Sequence, residues 1–267
     1  MTIIVVVLGI AMLISVIIAK NASSTTPSTP STPSTDTTLS TDTTLSTLRT
    51  AVERNNLATN LDYVTDNEIQ KMNAISKIFN NVTPIATNLN MHPLYILSIA
   101  YAETHFGFNL YDPIGKGFGL SQMETASSPT YNTLMITAKH VLQSFSPMYL
   151  TSPAFNTLRD IRDNLQKHIN NALESLTAIA GFGTKIYDDT NPLIDIPANL
   201  LLIAGYIDRV RSKYNLNVQN FDADTCYRIA FHYNRGINAT GFEEWFVQQA
   251  SRGGYVWRIA QLLNYTK

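Results

Sequence analysis

A chain of 267 residues, 45% hydrophobic and 15% charged, has the length of one ordinary domain plus appendages. Lys and Arg number 19 against 20 Asp and Glu, for a net charge of −1 with no basic run, which excludes the electrostatic footprint of a nucleic-acid protein. The single cysteine, Cys226, forms no intramolecular disulfide and supplies no zinc or iron–sulfur cluster, so neither metal nor cofactor is expected.

From Ile3 to Ala19 the chain is apolar except for Gly9 and Ser15, and with Met1 and Thr2 it spans on the order of 28 Å as a helix, enough for a bilayer. Residues 1–20 therefore read as a transmembrane anchor, with the lipid bilayer as a partner through residues 3–19. A cleaved signal peptide is the alternative, but no Lys or Arg precedes the run and Ala19-Lys20-Asn21-Ala22 is a poor small-x-small cleavage site. Lys20 alone specifies orientation only weakly. Residues 21–47 are Ser, Thr and Pro with a doubled Asp-Thr-Thr-Leu-Ser-Thr, a composition too polar to offset ordering entropy; an extended tether is expected.

The globular part is expected over residues 48–267. A first helix follows Thr65 and Asp66 as far as Phe79, with Ile69, Met72, Ile75 and Phe79 at helical spacing. A second opens at Pro93 and carries an uninterrupted apolar run to Phe106. Residues 129–190 read as a helical insertion, with one helix near Tyr131–Phe145 and another from Pro153 to Ala180, ended by Gly181 and Gly183. These helices either wall a groove or serve packing alone. Pro197 to Tyr214 is amphipathic, with Arg209, Arg211 and Lys213 suiting the C-terminal dipole. A helix capped by Asp222 or Asp224 runs through Cys226, Ala230 and Tyr233 to Gly236, and Cys226 reads as a buried thiol. Trp245, Tyr255 and Trp257 either close a core or stack on sugars. The class is mainly α, with room for strands only between Phe106 and Phe118.

Within the second helix, Glu103 shares a face with Ile96, Ile99 and Ala100. A carboxyl held against apolar surface has its charged form disfavoured and becomes a general acid. The plainer alternative is that Glu103 reaches solvent or pairs with His105, Lys116 or an Arg. Gly115, Gly117 and Gly119 then allow close backbone approach, and Gln122 adds an amide.

The string Ala102-Glu103-Thr104-His105-Phe106, followed by Gly115 through Gln122, resembles the Glu-Ser-x-Phe and Gly-x-x-Gly-Leu-Met-Gln signature of the soluble lytic transglycosylases, relatives of goose-type lysozyme. Asn199 to Tyr206 is similar to that family's Asn-Ile-x-x-Gly-x-x-Tyr helix, and Ala230-Phe231-His232-Tyr233-Asn234-Arg235-Gly236 to its Ala-x-Tyr-Asn-Ala-Gly block. The resemblance spans about Pro93–Met123 and Pro197–Gly236. It departs from the pattern at Thr104 (for Ser), at Ser121 (for Met), in one extra residue between Glu103 and Gln122, and at His232 and Arg235 (for small residues).

The resemblance implies a lysozyme-like α+β-superfamily domain with a small loop or hairpin lobe beside the catalytic helix. It implies cleavage of peptidoglycan glycan strands at the MurNAc-GlcNAc β-1,4 bond by one carboxyl acting first as acid and then as base, leaving 1,6-anhydro ends. Glu103 is the implied acid/base. Gln122, Ser121 and Thr104 are implied sugar contacts, and Tyr233 with Asn234 a cleft wall that orients the Glu. Lysozyme-type hydrolysis, and a non-catalytic glycan-binding assembly module, are the alternatives. An anchored, wall-facing domain fits a bacterial envelope enzyme, part of a larger envelope assembly, or a lysin in the membrane of a bacteriophage virion.

Overall fold

Leu45, Leu48 and Val52 recur at helical spacing and are all buried along α1 (Thr41–Asn56) in the computed structural model. The structure describes residues 41–56, 66–106, 111–112, 117–125, 133–145, 152–179, 183–186 and 190–265. The C-terminal part of the tether expected over residues 21–47 is instead helical, since α1 takes in the second Asp-Thr-Thr-Leu-Ser-Thr copy; the rest of that stretch lies outside the described residues. The leucine of that copy is an apolar anchor that the Ser/Thr background conceals. Among the described residues no helix is long and apolar enough to cross a membrane, and the Ile3–Ala19 run lies outside them.

The helix expected to stop at Phe79 continues through Pro84 as α2 (Asp66–Asn88), because Val82, Ile85 and Ala86 carry its buried stripe onward. In α3 (Pro93–Thr104), Pro93 occupies the first turn, where its missing N–H costs nothing, and His92 Nδ1 accepts from Leu94 N at 3.3 Å. Every residue of α3 from Pro93 to Ala102 is buried, as is Thr104. Two helices of the insertion follow as expected, α4 (Thr133–Ser144) and α5 (Pro153–Glu174).

The segment after α5 corrects the expectation of a purely helical insertion. Leu176–Ile179 and Gly183–Ile186 form an antiparallel hairpin, β4 and β5. Thr177, Ile179, Thr184 and Ile186 are β-branched and favour a pleated surface, while Gly183 weakens helix. The hairpin joins three two-residue strands, β1 (Tyr111–Asp112), β2 (Gly117–Phe118) and β3 (Met123–Glu124), in the order β3-β2-β1-β5-β4. Tyr111 pairs with Phe118 on one side and Thr184 on the other, so the insertion widens the small lobe.

After a 3-10 turn (Pro192–Ile194), α6 (Ile196–Tyr214) is capped by Asp195, whose Oδ1 accepts from Ala198 N at 2.8 Å. It is buried continuously from Ala198 to Asp208, and a helix apolar on all sides belongs inside others. The chain closes with α7 (Ala223–Arg235), α8 (Phe242–Gln249) and α9 (Tyr255–Asn264). Asp222 caps α7 through Thr225 N at 2.8 Å, and Gly236 ends it at φ +95°. Helices α2, α3, α4, α5 and α7 all pack on α6, while α9 packs on α3. The described architecture is mainly α around one core, with the small sheet as its only β part.

Candidate active site

Helix α3 is fixed at both ends. The Tyr95 phenol donates to the Asn220 carbonyl at 2.9 Å and accepts from Asp222 N at 2.9 Å, tying the start of α3 to the start of α7. At the other end, Arg258 Nη1 of α9 donates to the Ala102 carbonyl at 2.7 Å, and the Tyr101 phenol donates to Gln261 Oε1 at 3.3 Å. His105 and Phe106 follow with φ of +49° and +63°, turning the chain sharply away from the helix. Burial, with the Arg258 charge adding to it, pushes the His105 imidazole down to about 4.

Glu103 lies in that clamped last turn, half-buried, and its Oε1 accepts a 2.8 Å hydrogen bond from the Tyr255 phenol of α9. Burial first, and the Glu103 charge second, push the Tyr255 phenol well above its usual range, so it remains a donor across working pH. Tyr233 was expected to hold this carboxyl, and here the geometry differs: its phenol donates to the Ser121 carbonyl at 2.7 Å. Tyr233 nonetheless belongs to the same neighbourhood, since burial, then the Glu103 charge, then Tyr206 raise its phenol as well. Its ring meets the Tyr206 ring edge-on at 4.8 Å, and the Tyr206 phenol donates to the His232 carbonyl at 2.6 Å.

The turn between β2 and β3 presents Ser121 and Gln122 on a rigid backbone. Gly119 has φ +67°, and a Cβ there would lie 2.5 Å from Asn199 Oδ1 and closer still to the Leu193 carbonyl. A Cβ on Gly117 would lie 2.5 Å from the Gln122 carbonyl. Asn199 clamps the turn to α6: its Oδ1 accepts from Ser121 N at 3.0 Å, and its Nδ2 donates to the Leu193 and Asp195 carbonyls at 3.0 and 2.9 Å. Gln122, at φ +47°, folds its amide back so that Nε2 donates to the Gly119 carbonyl at 2.7 Å.

The remaining expected contacts divide. Thr104 is fully buried and its hydroxyl donates to the Ala100 carbonyl at 3.0 Å, the ordinary back-bond of a helical threonine, so it offers nothing to a ligand. The Ser121 hydroxyl is likewise sealed and without a partner in the described structure; the residue contributes its backbone. Asn234 is exposed, and its Oδ1 accepts from Trp245 Nε1 at 2.9 Å, which anchors a buried indole at the end of α7.

The structure thus brings Glu103, the Ser121–Gln122 turn and Tyr233 together, and adds Tyr255, Arg258 and Asn199 as their supports. Tyr255, read from the sequence as either closing a core or stacking on sugars, is buried on a face with Val256, Ile259 and Leu262; nothing in the sequence tied it to Glu103. Asn199, by contrast, already stood in the Asn199–Tyr206 resemblance. Among the described residues, no group of three or more His, Cys, Asp or Glu is placed to hold a metal ion. A half-buried carboxyl gripped by a permanent phenol donor has the makings of a proton-transfer group beside a turn of fixed shape. No protein-family model, curated protein or solved structure matches the chain.

Proposed function

We propose that this protein is a membrane-anchored peptidoglycan lytic transglycosylase on a lysozyme-like fold, with Glu103 as its single acid/base. The observation that carries this reading is the Glu103–Tyr255 hydrogen bond of 2.8 Å, formed where three separately resembling blocks converge on a half-buried carboxyl. The carboxyl protonates the bridging glycosidic oxygen while the C1–O bond breaks. Glu103, now a carboxylate, takes the proton of the sugar's own 6-hydroxyl as that oxygen bonds to C1, closing a 1,6-anhydro ring. No water is consumed and the carboxyl ends protonated, as it began.

In this reading Tyr255 holds the carboxyl through Oε1 and sets its orientation toward the sugar. Asn199 and Tyr233 fix the Ser121–Gln122 backbone against which the glycan lies. The anchor at residues 1–20, the tether and the folded unit from about residue 40 would let a bilayer-bound protein reach the wall. The test is digestion of purified peptidoglycan with identification of the new ends. Anhydro ends support the transglycosylase and reducing ends indicate a hydrolase. Glycan binding without cleavage indicates an assembly module.

A further inference from the structure

A cavity of about 380 Å³ opens beside α7, lined in part by Tyr214, Arg228, Phe231, His232, Ala239, Gly241 and Phe242. None of Glu103, Ser121, Gln122, Tyr233 or Tyr255 lines it. Its volume is that of a small-molecule site with an apolar body and a few polar groups. No Asp or Glu is among its lining residues.

The polar groups at this cavity are all suited to an anion. The Arg228 guanidinium carbon lies over the Phe242 ring, 4.7 Å from its centroid, and its Nε is paired with Asp224 at 2.7 Å. Its two terminal nitrogens have no partner among the described residues. Helix α8 starts at the rim, where Gly241 gives no side-chain cap, so the first amides of α8 are without a side-chain acceptor. Glu243 and Glu244 of that turn are exposed and do not line the cavity.

The wall itself holds an unsatisfied group. His232 is 8% exposed and stacked on Tyr214 at 4.2 Å and 12°, and its Nδ1 is buried with no hydrogen-bond partner. Burial lowers the imidazole from its usual value; the Gly236 backbone opposes this without reaching bond geometry. Phe231 and Phe242 meet edge-on at 5.7 Å and complete an aromatic lining.

We propose that this cavity binds a small carboxylate-bearing molecule with an aromatic or apolar body. Its carboxylate is held by Arg228 and the first amides of α8, and its body lies among Tyr214, Phe231 and Phe242. The site is independent of the chemistry assigned to Glu103.

The probe is N-acetylphenylalanine, with its neutral amide as control, titrated calorimetrically into the full chain in detergent. The expected result is saturable binding of the acid and at least tenfold weaker binding of the amide. Arg228→Gln lowers affinity for the acid about tenfold, the loss of one charge-assisted contact at a partly exposed site. Ala239→Phe, which fills the cavity, abolishes binding with the melting temperature retained, while Glu103→Gln binds as wild type does. Equal affinity for acid and amide, no saturable binding at millimolar probe, or wild-type affinity in Arg228→Gln each overturns the proposal.

Discussion

Tyr255 and Glu103, 152 residues apart in the chain, meet in a 2.8 Å hydrogen bond that joins the last helix to the end of the most deeply buried one. The phenol is kept protonated by burial and by the carboxylate's own charge. It therefore acts as a fixed donor that sets which way the carboxyl faces.

Tyr255→Phe removes that donor and keeps the ring. Because a hydrogen bond to a charged group contributes about 1.5–3 kcal/mol, kcat for glycan cleavage is expected to fall about 10- to 100-fold with KM little changed. Tyr233→Phe releases the Ser121 carbonyl instead and is expected to raise KM more than it lowers kcat. Steady-state kinetics on soluble glycan fragments distinguish the two. The same loss of kcat in both variants would remove the distinction drawn between the two phenols.

Asn199→Ala unlocks the turn that carries Ser121 and Gln122. Three hydrogen bonds go with it, leaving the buried Ser121 N–H and the Leu193 carbonyl short of partners while the Asp195 carbonyl keeps its bond from the residue 199 backbone N–H, so a loss of about 2–4 kcal/mol in chemical unfolding is expected. Glycan affinity is expected to weaken in variant protein that remains folded. A stability change below about 0.5 kcal/mol, the size usual for surface substitutions, would contradict the clamp.

Stability is expected to carry an acid-side dependence on His105. Its folded value of about 4 lies below the ordinary 6.5, so the unfolded chain binds the proton more readily between them. The contribution is fully present above pH 6.5 and is lost as pH falls toward 4. After discounting for partial exposure, this is about 2 kcal/mol. His105→Asn, which suits the left-handed φ of +49°, should flatten the urea-unfolding stability difference between pH 7 and pH 4.5. Burial also lowers His92 and His232, so the comparison of variant with wild type isolates His105. An unchanged pH slope in the variant would show that His105 is not responsible.

The folded unit is expected to need α1. Leu45, Leu48 and Val52 are 7%, 0% and 0% exposed, and their burial contributes on the order of 5 kcal/mol. A fragment beginning at residue 57 should therefore melt well below one beginning at residue 40. Equal melting temperatures would mean that α1 is an accessory to the core.

The legible parts of this chain were those where local chemistry and tertiary role agree. Pro93 and the run behind it marked α3, Asp222 and Gly236 marked the ends of α7, and Cys226 was placed in the core, where burial pushes its thiol up to about 12. Periodicity did not orient Glu103, because α3 is buried on every side and no face of it is distinguished. Leu176 and Ile179 also continue the helical spacing of Leu165 and Ile169, so the β4–β5 hairpin was hidden inside an apparent helix. The site's neighbours were readable where they stood in matched blocks, as with Ser121, Gln122 and Tyr233. Tyr255 was not, because a pairing across 152 residues leaves no trace in a local pattern. Thr104 shows the converse: its place in the motif suggested a sugar contact, while its hydroxyl turned back to the Ala100 carbonyl.

The most direct measurement is mass spectrometry of the fragments released from purified peptidoglycan by wild type and by Glu103→Gln, which keeps the side chain's shape and removes its proton. Wild type should release fragments ending in 1,6-anhydro sugars, and the variant should do so 10²- to 10⁴-fold more slowly, the usual contribution of a general acid/base. Release of the same ends at the same rate by both proteins, or by neither, would contradict the role assigned to Glu103.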